Sequence, residues 1–120
     1  MKIIEALKDQ TIASLQDMKA VDVVVLDVKE KSTIADYMIV ASGTSARHVK
    51  AVANGVVVAA KKAGHTPLGI EGDKEGEWVL VDLGDVIVHV MMPAVRDFYQ
   101  LEKLWEAGSV EEMAVIKPRS

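Results

Sequence analysis

Two aspartates and a histidine, Asp82, Asp85 and His89, interrupt the apolar run "EWVLVDLGDVIVHVMMP" from Glu77 to Pro93. Carboxylates and imidazole are ordinary ligands for a divalent cation, so the three could in principle hold a metal. The strand pairing argued below works against that, because it sets both aspartates at a turn and His89 several residues along the strand, opposite Trp78. We therefore read turn-forming aspartates and a half-exposed histidine, with no metal. A second group, Ser42, Ser45 and His48, puts hydroxyls near a base, but no G-x-S-x-G elbow surrounds it and nucleophilic catalysis is not expected. The same stretch, "ASGTSARH", has the form of a strand-to-helix turn, where free N–H groups and the helix dipole could receive a phosphate. It holds one glycine and no P-loop lysine follows, so capping by Thr44 or Ser45 is the better use of these side chains. Arg47, His48 and Lys50 read as the solvated side of the ensuing helix, with a basic spot for a partner as the lesser option. No catalytic residue and no cofactor is expected.

Composition points the same way. The chain has 120 residues, half of them hydrophobic but only 4% aromatic, so one compact domain with an aliphatic core is expected and each Trp needs its own explanation. A formal charge of -4 argues against a face that tracks nucleic-acid phosphates and suits a basic protein partner. With no cysteine, disulfides, thiolate metal sites and a cysteine nucleophile are excluded. Neither a signal-like start nor an apolar stretch long enough to span a bilayer is visible, so the cytoplasm is the expected location and no membrane is expected as partner.

The elements that must position these residues follow from periodicity. Ile4, Leu7, Ile12, Leu15 and Met18 recur at helical spacing and predict a first amphipathic helix over Met1 to Met18. Val21 to Val28 predicts a buried strand, and "DYMIVASG" a second one ended by Gly43. A helix follows from the Thr44 or Ser45 cap to Gly64, with Val49, Val52, Val56 and Ala59 inward; Gly55 weakens it by about 1 kcal/mol relative to alanine. "TPLGIEG" predicts a short strand, and two more run from Trp78 to Val81 and from Val86 to Met91. Pro93 suits the first turn of a last helix, with Val95, Phe98, Leu101 and Leu104 or Trp105 as its inner stripe. The predicted fold is α/β or α+β: a mixed five-stranded sheet with helices packed on one side. Residues 1–107 form the single domain and 108–120 a flexible tail.

Alternation then sorts the last two strands. Val79, Val81, Val86, Val88 and Val90 make an aliphatic side for the core, which predicts Val81 opposite Val86 and Val79 opposite Val88 across a Leu83-Gly84 turn. Trp78, Leu80, Ile87, His89 and Met91 share the other side, with Asp82, Leu83 and Asp85 at the turn. If all three helices lie on the core side, this second face is an exposed apolar patch with a polar edge, the mark of a binding surface. If a helix or the C-terminal tail lies over it, it is a second core. The pattern leaves both open.

Four segments in order, "DYMIVASGTSARHVKAVA", "AGHTPLGIEG", "GEWVLVDLGDVIVHVM" and "VRDFYQLEKLW", resemble the ribosomal silencing factor family, also called RsfS or Iojap, from about Val21 to Trp105. The resemblance implies a nucleotidyltransferase-like fold without transferase activity, usually a homodimer. It implies binding to ribosomal protein uL14 on the large subunit, which blocks joining of the small subunit and lowers translation when nutrients are scarce. It also places the uL14 contact on Trp78, Leu83 and Met91; alternation adds Leu80, Ile87 and His89 to that face, and Asp82 and Asp85 would steer a basic partner. The rival is a working, metal-dependent nucleotidyltransferase, which needs a Gly-Ser helix start and closely spaced carboxylates. Here Thr44 follows Gly43 and no Asp-x-Asp or Asp-x-Glu pair stands just after it.

Overall fold

In the computed structural model, which describes residues 2–30 and 35–99, the elements follow one another as α1 (Lys2–Asp17), β1 (Val21–Asp27), β2 (Tyr37–Ser42), α2 (Ala46–Lys62), β3 (Gly69–Glu71), β4 (Trp78–Asp82), β5 (Val86–Met91) and α3 (Pro93–Tyr99). The strands form one mixed sheet in the order β1-β2-β5-β4-β3. Among the described residues only β2 and β5 run parallel, and the other three pairs are antiparallel. The predicted helix beyond Tyr99, with Leu101, Leu104 and Trp105, and the tail at 108–120 lie outside the described residues.

The core sits between the sheet and the two long helices. Ile39 and Ala41 of β2, Val79 and Val81 of β4, and Val86, Val88 and Val90 of β5 meet Leu7 and Leu15 of α1 and Val49, Val52, Val56 and Val57 of α2 in one buried cluster. This is the aliphatic side that alternation assigned inward. Gly55, unfavourable as helix former, has a packing reason: a Cβ there would lie 2.9 Å from Met18 Cγ, so the glycine lets the end of α1 close onto α2.

Two expectations are corrected. Val21 to Val28 predicts a buried strand, yet β1 is the sheet edge and half-exposed, with Val21 and Val25 open to solvent. Its pairing slips between Val21 and Val24, where Asp22 adopts φ 50°, and such an irregularity blunts an edge against further strand addition. The β4–β5 register also differs by two residues: Val81 faces Val88 and Val79 faces Val90. The loop is Gly84-Asp85, closed by Leu83 N–H donating to Val86 O at 2.9 Å, and not Leu83-Gly84. Positive φ falls on Gly84 (89°) and not on Asp85, the arrangement of a turn that wants glycine at its first central position. Because the slip is even, every side chain keeps the face that alternation gave it.

Candidate functional site

The second face of the sheet is built on the pair Trp78 and Met91, which sit directly opposite each other on β4 and β5. Leu80 faces His89 one step further on, and Asp82 faces Ile87 beside the turn. Trp78, Leu80, Ile87, His89 and Met91 therefore share a side, as alternation requires. They are not uncovered. All five are buried, His89 and Met91 completely. Trp78, Leu80, Ile87 and Met91 belong to a second cluster with Met38 and Val40 of the neighbouring β2, with Val28 and Ala35 from the β1–β2 connection, and with Val95 of α3 packed against it. Of the two readings that the pattern left open, the covered one is found: this face is a second core, with Val95 of α3 packed against it.

His89 is thus not the half-exposed residue expected. Its ring centroid lies 5.7 Å from that of Trp78, and Trp78 Nε1–H donates to His89 Nδ1 at 2.9 Å. An accepting Nδ1 leaves the proton of the neutral ring on Nε2, and that atom is buried with no hydrogen-bond partner among the described residues. Burial lowers the imidazole pKa from 6.5 to about 4, because a charged ring has no solvent here.

The turn is the accessible part. Asp85 is exposed, while Asp82 and Leu83 are half-buried, Leu83 packing from the rim onto the first cluster. Asp82 Oδ1 accepts from Gly84 N–H at 2.8 Å, so this aspartate does shape the turn. Asp82 and Asp85 do not converge with His89: among the described residues no three His, Asp or Glu side chains stand where they could hold a metal ion.

The other candidates are used by the fold. Ser45 caps α2, its side chain accepting from His48 N–H. Thr44 N–H donates to His48 Nδ1 at 2.9 Å, and His48 Nε2 lies 2.8 Å from Met18 O, so this histidine ties the helix start to the end of α1 and does not belong to a solvated face. Ser42 Oγ accepts from Arg96 Nη1 at 3.0 Å, which also donates to Asp22 O at 2.7 Å. Ser42, Ser45 and His48 hence form no nucleophile-base pair, and the helix start that could have received a phosphate is occupied by its own side chains. The Ser45 cap was readable from the sequence; the ties from His48 to Met18 and from Arg96 to Asp22 and Ser42 were not, because they join residues 30, 74 and 54 positions apart.

A family model described as "Ribosomal silencing factor during starvation" matches residues 2–120. The chain belongs to the ribosomal silencing factor family. Ribosomal silencing factor RsfS of Chromobacterium violaceum is 50% identical over 102 residues, covering 85% of this chain and 84% of that protein. RsfS of Haemophilus influenzae is 45% identical over 100 residues, 83% of this chain and 98% of its own. A crystal structure of a Chromobacterium violaceum protein, 50% identical, superposes with a TM-score of 0.84 over 86% of both chains. These relatives carry the name of a regulator, and in this chain Ser42, Ser45, His48, His89 and the Asp82 carboxylate are held in structural hydrogen bonds. Of the three positions that the family resemblance assigns to a partner, Leu83 stands at the rim, whereas Trp78 and Met91 lie under the chain's own cover.

Proposed function

We propose that this member of the ribosomal silencing factor family represses translation by occlusion: it docks on ribosomal protein uL14 of the large subunit and fills space that the small subunit needs. No bond is made or broken. The observation that supports this most is the β4–β5 hairpin, which sets Trp78 and Met91 side by side and brings Leu83 to the tip between Asp82 and Asp85. In this reading Leu83 and the two carboxylates make the first contact with a basic protein, and the carboxylates speed the encounter. Trp78 and Met91, with Leu80, Ile87 and His89 around them, join the contact once the cover that includes Val95 is displaced. An interface of ordinary size would bury on the order of 1,600 Å² in total. The free protein is a cytoplasmic homodimer in the same reading, and needs no cofactor and no membrane.

Sucrose-gradient sedimentation tests it. Separated subunits are mixed with saturating protein in the presence of Mg²⁺. The protein should travel with the large subunit, and the joined particle should decline in proportion to occupancy. Undiminished joining at full occupancy would remove occlusion as the mechanism, and absence of the protein from the large-subunit fractions would remove docking itself.

A further inference from the structure

Among the described residues, an open apolar surface lies at the β3 edge. Leu68 is 76% exposed and Ile70 41% exposed, both beside the short edge strand β3. Ile70 pairs with Val81 and so projects toward the helix side of the sheet. It lines a concavity of about 220 Å³ together with Val57 and Ala53 of α2 and Val79 of β4, with Lys50 and Asp73 among the polar groups there. Leu68 extends the surface the other way, toward the hairpin tip: its Cδ1 would stand 3.7 Å from a Cβ placed on Gly84. Ile70 and Leu68 thus form an apolar edge that reaches Gly84 of the turn, next to the half-buried Leu83.

The charge of the segment that carries the strip is one-sided, with Lys50 of α2 the cation that lines the concavity from outside it. Between positions 69 and 85 stand Glu71, Asp73, Glu75, Glu77, Asp82 and Asp85 against the single cation Lys74. This stretch alone is more negative than the whole chain, whose formal charge is -4, so the rest of the protein is close to neutral. Asp73, Glu75, Glu77 and Asp85 are exposed.

We propose that the Leu68–Ile70 strip is a second contact surface for a basic protein, continuous with the hairpin tip and engaged in the same docking event; it rests on the docking reading above and adds residues to it. The occupant follows from the chemistry. A nucleic acid would bring phosphates against the carboxylates. A second copy of this chain meeting the strip about a two-fold axis would bring two acidic fringes together. A protein surface with an apolar centre and lysine or arginine around it meets both demands, burying the two aliphatic side chains and pairing with the fringe.

The test uses Leu68→Arg and Ile70→Thr in the full chain, beside Leu83→Arg as the variant of the hairpin tip. Binding to purified large subunits is measured by sedimentation at fixed salt, and folding by thermal melting. Leu68→Arg should weaken binding tenfold or more and Ile70→Thr severalfold, both with the parent's melting temperature, because neither side chain is enclosed. If Leu83→Arg loses binding while Leu68→Arg and Ile70→Thr bind like the parent, the strip is not a contact surface and the docking reading survives without it. If the parent does not bind, both fall. If Leu68→Arg instead changes only the oligomeric state of the free protein, the occupant is a second copy and the proposal is overturned.

Discussion

At the scale of a residue, the most consequential feature is an imidazole that the fold keeps neutral. His89 accepts from Trp78 and is wholly buried, with its pKa pushed down from 6.5 to about 4. Between those values the unfolded chain binds a proton that the folded one refuses. The stability contributed by the neutral ring is therefore complete above pH 6.5 and is lost as the pH falls toward 4. The size of the loss is about 3 kcal/mol. Urea titrations at intervals from pH 7 to pH 4 should show that decline, and His89→Gln, whose amide oxygen can still accept from Trp78, should flatten the curve by a similar amount. Equal slopes for parent and variant would mean that the folded ring takes up a proton as readily as the unfolded one, so that burial does not depress its pKa. The face to which His89 belongs was legible in the sequence, since alternation depends only on parity. Its burial was not, because periodicity within β5 says nothing about what α3 and the β1–β2 connection place above it.

At the scale of an element, the β4–β5 hairpin shows which kind of information a sequence holds. The two strands and their faces followed from alternation; the register did not, because sliding by two residues leaves both faces intact. What fixes it is backbone chemistry at the turn, where Gly84 takes φ 89° and Asp82 Oδ1 holds the Gly84 N–H. Gly84→Ala isolates that contribution. A Cβ there would meet nothing closer than Leu68 Cδ1 at 3.7 Å, an ordinary contact, so the penalty is conformational alone. It should amount to about 1–2 kcal/mol. Gly84→Asn should cost less, since asparagine visits positive φ more readily. Thermal melting of the two variants orders them, and an Ala variant as stable as the parent would show that the turn tolerates another conformation. Capping of α2 was equally readable, as a Ser45 side chain one position before the helix, whereas the tie from His48 to Met18 spans 30 residues and leaves no local trace.

At the scale of the whole molecule, the proposed function and the observed packing make opposite demands on one face. A partner that is to touch Trp78 and Met91 must find them, and in the free chain both are enclosed. The conflict has a quantitative form. If the binding-competent state is the one with the cover displaced, the apparent affinity is the intrinsic affinity reduced by the fraction of molecules in that state. Weakening the cover should then tighten binding, the reverse of the usual result of trimming a packed side chain. Val95 is the place to do so: it lies on α3, is partly buried against the Trp78 cluster and stands outside the main core. Val95→Ala removes about 1 kcal/mol or more of packing from the cover. Stopped-flow mixing with large subunits should show association severalfold faster than the parent's, with dissociation little changed. A hairpin that binds through Leu83 and the rim alone would be indifferent to Val95, so identical association rates would leave Trp78 and Met91 as internal supports of the docking surface and assign the contact to residues already open in the free protein.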